Sequence, residues 1–171
     1  MTPEQASFLV QQYAQLMQGE FPATCKVLSA VTNGNRSYKP DAKSRSAWEL
    51  ATHLATADVW FLDSILGGKF NWDPEKAKEV EGQFASVADL VAFYEKTFVE
   101  KLKAVQAMST ADLTRTVDFF GMFQQPAVSF LGFANNHSIH HRGQLAAYLR
   151  AMGSKVPAIY GGSADEPMPG A

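Results

Sequence analysis

Three of the four histidines of the chain lie close together, in the run Asn136-His137-Ser138-Ile139-His140-His141-Arg142-Gly143-Gln144. On a helix, His137 and His141 are one turn apart and point the same way. A divalent cation shared by the two rings would offset the cost of removing both from water. The alternative is one or two hydrogen-bonded core histidines. At ~100° of rotation per residue, the side chains within ~45° of His141 are apolar apart from His137: Phe130, Ala134, Leu145, Tyr148 and Met152.

The fourth histidine, His53, lies on the flank of a second predicted helix, ~60° from Leu50. Taken alone it would be a partly buried structural histidine, but a third ring would complete a metal site with His137 and His141. Neutral imidazole suits zinc, nickel, copper and iron, and three imidazoles leave coordination positions open. A water in such a position can have a pKa of about 7, and a thiol could bind and ionise there instead.

Metal-binding rings need polar neighbours that orient them. By helical position the nearest candidates are Glu49, Asn136, His140 and Gln144, although each could equally be a solvated polar residue. His140 lies ~100° from His141, at the edge of the apolar face, and is expected to contribute less to metal binding.

Two further side chains are candidates to face a substrate. Trp60 shares the flank of His53, and Glu20 falls near the centre of the apolar arc of the first helix, where a carboxylate is unusual. The alternative for Glu20 is that a kink at Pro22 lets it reach solvent. The single cysteine, Cys25, lies at the flank of this arc and is predicted to be a small packed side chain rather than a nucleophile or ligand.

The whole chain sets the broad class. Its 171 residues suit one domain with a substantial core, 1–171, and 46% apolar with 19% charged residues is typical of a globular protein. With a net charge of −2 and no basic block, we expect no nucleic-acid partner. No apolar run is long enough to span a bilayer, so we expect no membrane partner either. One cysteine excludes an internal disulfide and favours a reducing, cytoplasmic compartment.

Helical spacing predicts an all-α four-helix bundle in which long loops shape one end. Capping patterns begin the first three helices at Thr2, Ser46 and Ser86, and the fourth is expected from Pro126 to Met152. A short helical turn is expected at 74–78, a short hairpin or an ordered loop at 113–125, and a loose tail at 161–171.

The motif from His137 to Gln144, with the helix-2 histidine in Leu50-Ala51-Thr52-His53-Leu54-Ala55, resembles the DinB-like superfamily of four-helix metal-binding proteins. This family is distinct from the DNA polymerase that shares the name. The resemblance extends from the first helix to about residue 161. It implies that His53, His137 and His141 bind a divalent metal, usually zinc or nickel. Members include thiol-dependent S-transferases and a maleylpyruvate isomerase that uses a low-molecular-weight thiol, and they often form homodimers.

The first hypothesis is therefore a metal-dependent enzyme that activates a thiol or water, as a transferase or hydrolase of a small-molecule substrate. The alternative is a metal-binding or stress-response protein without turnover. A carboxylate-bridged two-metal bundle is disfavoured because the chain has no Glu-x-x-His pair. A haem bundle with axial histidine is compatible with the spacing alone. The sequence leaves the substrate, the native metal and any thiol cofactor open.

Overall fold

The computed structural model describes residues 1–168 and Gly170. Within them, α-helices dominate, which confirms the predicted all-α fold. A single two-stranded hairpin precedes the last helix. A 3-10 turn at Ala127–Ser129 joins this hairpin to that helix. In chain order the elements are α1 (Pro3–Ser29), α2 (Ala47–Gly67), α3 (Pro74–Gly82), α4 (Val87–Gln106), α5 (Thr110–Thr114), β1 (Thr116–Phe119), β2 (Phe123–Pro126) and α6 (Phe130–Ala151).

The predicted capping boxes begin the first three long helices. The hydroxyls of Thr2, Ser46 and Ser86 each accept a hydrogen bond from the backbone N–H three residues later. The side chain at that later position in turn accepts a hydrogen bond from the backbone N–H of the capping residue. These bonds satisfy amides that have no partner inside the helix. α2 ends at Gly68, whose φ of 69° is the left-handed conformation that glycine adopts without strain.

The four long helices form a bundle in which α4 and α6 each pack against both α1 and α2. The predicted four-helix arrangement is therefore confirmed. The pairing of α2 with α6 is the feature that matters for function, because His53 lies on α2 and the other three histidines lie on α6. Within the described part of the chain, no helix is both long and apolar enough to cross a membrane.

The connections differ from the prediction in three places. α3 continues to Gly82, beyond the predicted turn, because Asp73 caps it and Pro74 occupies its first position. α5 was not predicted, and Ser109 caps it. Pro126 does not lie in the first turn of the last helix: it ends β2, the 3-10 turn follows, and α6 begins at Phe130.

The predicted hairpin forms, with β1 and β2 antiparallel and Phe119 opposite Phe123. The segment after Gly161, for which the sequence suggests a loose tail, makes specific contacts as far as Glu166. Arg150 forms an ion pair with Asp165 at 2.7 Å, and Lys26 lies 3.4 Å from Glu166. These contacts hold the segment against α1 and α6, while Pro169 and Ala171 lie outside the described residues.

Candidate metal centre

The packing of α2 against α6 brings three imidazole rings together. His53, His137 and His141 each offer one nitrogen, and these nitrogens all lie within 4.8 Å of one another. The ring centroids are 4.4 Å apart for His137 and His141, 4.7 Å for His53 and His141, and 5.3 Å for His53 and His137. We call these three residues the histidine cluster. Two helices supply it, so its geometry depends on the bundle and not on one segment.

Burial keeps the rings of the cluster neutral. It lowers the pKa of His53 to about 3 and that of His137 to about 4, and it lowers the pKa of His141 as well. The charge of Arg45, and the repulsion that a second protonated ring would create, lower these pKa values further, while the hydrogen bond with Gln144 raises that of His141. Neutral imidazole is the form that binds metal. The cluster therefore presents three ligand groups at neutral pH without first having to lose protons.

The hydrogen bonds around the cluster are incomplete. Nδ1 of His141 lies 2.8 Å from Oε1 of Gln144. When Nδ1–H donates to this oxygen, the lone pair on Nε2 is free to bind a metal ion. Nδ1 of His137 is buried and has no hydrogen-bond partner. Nδ1 of His53 lies 3.9 Å from Oε1 of Glu81, which is too long for a hydrogen bond. A buried nitrogen without a partner is costly, and a divalent cation would remove that cost. The residues present therefore fit a metal ion.

Of the four predicted orienting residues, Gln144 alone makes a hydrogen bond to the cluster within the described residues. Asn136 and His140 are exposed, and the ring of His140 only meets the edge of His141, with centroids 4.9 Å apart. The expectation for Glu49 is wrong. Its carboxylate caps α2, accepting from Ser46 N–H at 2.6 Å, and the carboxylate that faces His53 is Glu81.

Glu20 does not face the cluster. Its carboxylate accepts hydrogen bonds from Arg142 at 2.5 Å and from the hydroxyl of Tyr160 at 2.9 Å. The ion pair replaces the alternative of a carboxylate released to solvent by a kink at Pro22, and α1 continues through Pro22. Glu20 and Tyr160 line a separate cleft, so contact of Glu20 with a substrate stays a prediction. Arg142 is 1% exposed. Sequence reasoning missed its role, because Glu20 and Arg142 are 122 positions apart and meet only when α1 packs against α6.

A second buried carboxylate, Asp58 on α2, was also missed. Its Oδ2 accepts hydrogen bonds from the hydroxyls of Tyr94 and Ser138, each at 2.8 Å, so it joins α2 to α4 and α6. Burial raises the pKa of Asp58 to about 7. The signal in the sequence was an aspartate within the apolar face of α2. Cys25 is half-buried, and burial raises the pKa of its thiol to about 12, which fits the predicted packing role.

A cavity of about 320 Å³ adjoins the cluster and includes His53 in its wall. Trp60 also lies in this wall, where the sequence places a substrate-facing residue, although contact with a substrate stays a prediction. The remaining lining comes from α2, from the loop that follows it and from α3: Thr56, Ala57, Asn71, Trp72, Asp73, Lys76, Ala77 and Val80.

Fold and site together define a class of protein: a bundle of four long helices with an internal three-histidine cluster that could hold a metal ion. The model of the DinB family matches residues 4–169. The chain therefore belongs to the DinB family.

Relatives from two bacilli agree with this assignment. The chain is 30% identical over 140 residues to the uncharacterized protein YjoA of Bacillus subtilis, covering 80% of this chain and 86% of that protein. A solved DinB-like protein from Bacillus cereus has a TM-score of 0.70 and 28% identity, covering 88% of this chain and 97% of that one.

The fold is also similar to that of a mycothiol-dependent maleylpyruvate isomerase. Here the TM-score is 0.51 and the identity 14%, over 90% of this chain and 62% of the isomerase. This likeness concerns the fold alone. The metal identity, the thiol and the homodimer remain predictions.

Proposed function

We propose that the protein is a metal-dependent enzyme that activates a small nucleophile, a thiol or water, for attack on an organic substrate. His53, His137 and His141 would hold one divalent ion, zinc or nickel. The observation that carries this proposal is the position of the cluster. His53 belongs both to the three-imidazole cluster and to the wall of a cavity large enough for an organic molecule.

An ion held by three neutral imidazoles keeps open coordination positions and would lower the pKa of a thiol or water that binds there. The residues of the chain prepare this site. Burial keeps the rings unprotonated, and Gln144 fixes the orientation of His141 through its Nδ1. The three candidate ligands are neutral imidazoles, so within the described residues the carboxylate of Glu81 beside His53 would balance the charge of the ion only in part. An anionic fourth ligand is thereby favoured.

A thiol used in this reaction would have to come from outside the chain. Cys25 is the single cysteine, and the raised pKa of its thiol leaves it protonated at neutral pH. Since thiolate rather than thiol is the nucleophile, Cys25 is unsuited to that role. A low-molecular-weight thiol that enters the open side of the cluster is the form of the proposal that we favour. An apolar wall beside it suits transfer to an organic electrophile.

Cobalt substitution tests this proposal. Cobalt(II) would be added to chelator-stripped protein, and 2-mercaptoethanol would then be titrated in. We expect a thiolate-to-cobalt charge-transfer band in the near ultraviolet and thiol-dependent consumption of an alkyl halide. His141→Ala should lose both signals, whereas His140→Ala, which changes the exposed neighbouring ring, should keep them.

Other outcomes would change the assignment. Hydrolysis of an activated ester by the cobalt protein, with no thiol band, would favour water as the nucleophile. A visible cobalt spectrum that no thiol perturbs, with turnover of neither substrate, would favour the metal-binding protein without catalysis. No cobalt spectrum at all would remove the basis of the proposal.

A further inference from the structure

We propose that the cavity between α2 and α3 binds a flat, uncharged aromatic group of the substrate. This inference rests on the proposed function and names the chemical class of the substrate that the activated nucleophile would attack. The cavity of about 320 Å³ is at the small end of ligand sites, which suits a substituted benzene ring better than a nucleotide or a peptide.

Two tryptophans supply the aromatic part of the wall. The rings of Trp60 and Trp72 are perpendicular, at 88°, with centroids 5.7 Å apart. They therefore offer a face and an edge at right angles, and aromatic rings pack favourably in both offset-stacked and edge-to-face arrangements. A third ring placed in the cavity can meet both surfaces at once.

Trp60 is fixed before any ligand arrives. Its Nε1–H donates to the backbone carbonyl of Asn71 at 2.9 Å, so its polar atom is already satisfied. Phe61 and Phe70 support the ring through edge contacts, with centroids 4.9 and 5.4 Å away. The ring is therefore held in place, and binding would cost little side-chain entropy at this residue.

The polar side chains of the wall are largely occupied by the protein itself. The hydroxyl of Thr56 donates to the carbonyl of Thr52 at 2.8 Å. The carboxylate of Asp73 caps α3, accepting from the N–H groups of Glu75 and Lys76. Of the other polar side chains in the wall, Asn71 and Lys76 are exposed and His53 belongs to the cluster, so shape and apolar contact remain as the main means of selection away from the cluster.

The α3 side of the cavity exposes apolar surface that a ligand would cover. Trp72 is 50% exposed and Val80 is 38% exposed, while α3 buries none of its residues. Exposed apolar surface beside a cavity is typical of ligand-binding grooves. Ala57 and Ala77 leave the space between the two helices open. Because Ala77 is only half-buried, it can be enlarged without disturbing the core.

The test uses 4-nitrobenzyl alcohol, an unreactive aromatic probe, on chelator-stripped full-length protein. Its affinity would be measured by calorimetry and by quenching of tryptophan fluorescence. We expect saturable binding of one probe per chain, and weaker binding of cyclohexylmethanol, which is similar in size but not flat. Trp72→Ala should weaken binding about fivefold to tenfold through the lost ring contact. Ala77→Leu should abolish it by filling the cavity.

Phe8→Ala removes another exposed aromatic side chain, on α1 and outside the cavity wall, and serves as the control. It should bind the probe as the unmodified chain does. The proposal is overturned if the probe shows no saturable binding, if cyclohexylmethanol binds as tightly, or if Trp72→Ala and Ala77→Leu both retain full affinity. Because no metal is needed here, these outcomes are independent of the cobalt–thiol band, whose absence would count against the proposed function alone.

Discussion

Two groups of polar side chains lie where α2 and α6 pack together, and they differ in how far the protein itself supplies their hydrogen-bond and charge partners. One is the histidine cluster. The other, which we call the inner network, consists of Asp58, Tyr94 and Ser138 together with the ion pair of Arg142 and Glu20. In the inner network, Oδ2 of Asp58 accepts two hydrogen bonds and Arg142 pairs with Glu20, while Oδ1 of Asp58 is left without a partner. The cluster gathers three rings of one kind, with one buried nitrogen unpartnered and no carboxylate within hydrogen-bond distance.

The difference shows which polar groups serve the fold and which serve a ligand. Buried polar groups are stable only when they are paired. Apart from Oδ1 of Asp58, the inner network finds its partners within the protein, and Asp58 and Arg142 are each 1% exposed. The cluster is less buried and borders a cavity, so its missing partner can come from solution. The predictions below test this division, beginning with the largest expected effect.

Replacing Arg142 should damage the fold more than any change in the cluster. Arg142→Met leaves Glu20 without its cation and Tyr160 without a donor. Breaking a buried pair in this way costs about 3–5 kcal/mol of unfolding free energy. Urea denaturation of chelator-stripped protein measures the loss. Arg150→Met, on the same helix but in a surface pair with Asp165, should cost less than about 1 kcal/mol. Equal losses in the two variants would contradict the division.

The cluster should make the metal-free protein sensitive to acid. In the folded state the pKa values of His53 and His137 are about 3 and about 4, whereas an unfolded histidine has a pKa of about 6.5. As the pH falls below that value, the unfolded chain takes up protons that the folded chain cannot. We expect a loss of about 4 kcal/mol between about pH 7.5 and about pH 5, about 2 kcal/mol from each ring. Denaturant melts of the unmodified chain and of His53→Phe/His137→Phe measure it, and a similar loss in the double variant would rule out the cluster as its source.

Asp58 should respond to pH with the opposite sign. Its folded-state pKa is about 7, above the value of about 4 for an unfolded aspartate, so the folded state holds the extra proton between these limits. Stability from this residue is therefore lost as the pH rises from about 4 to about 7, by about 1 kcal/mol for each pH unit. Asp58→Asn removes the titration and keeps an oxygen acceptor for Tyr94 and Ser138. The stability difference between this variant and the unmodified chain should change with pH; a constant difference would show that Asp58 is not protonated in the fold.

Gln144 should strengthen metal binding by the cluster without being one of its ligands. Loss of a partner that orients a metal-binding histidine typically weakens metal affinity by about tenfold or more. We expect Gln144→Ala to do so, because it frees Nδ1 of His141. Competition with a chromophoric chelator measures the affinity. Asn136→Ala, on the same helix and exposed, should leave it unchanged. If both variants bind metal as tightly as the unmodified chain, Gln144 has no orienting role.

The starts of the three capped long helices, the hairpin and the placing of His137 and His141 on one helix face were accessible from the sequence, because capping residues and helical spacing act over a few residues. The approach of His53 to that pair depends on the packing of α2 against α6, and the sequence indicated it through the family resemblance. The partners of Arg142 and Asp58 were not. Arg142 meets Glu20, which is 122 positions away, and Asp58 meets Tyr94 and Ser138 on two other helices. Glu81, Trp72 and Val80 were missed for another reason. They lie in or beside α3, a short exposed helix with no apolar face to reveal it.

The central claim is that the histidine cluster takes its partner from solution as a metal ion. Thermal melting of chelator-stripped protein, with and without added zinc, tests it most directly. At about pH 7.5 zinc should raise the melting temperature, because binding to the folded state alone stabilises that state. The increase should be absent in His53→Ala, His137→Ala and His141→Ala, each of which removes one candidate ligand. It should persist at about pH 5, because the lowered pKa values of His53 and His137 keep these rings unprotonated in the folded state there. An unchanged melting temperature at about pH 7.5, with zinc well above micromolar concentration, would contradict the account.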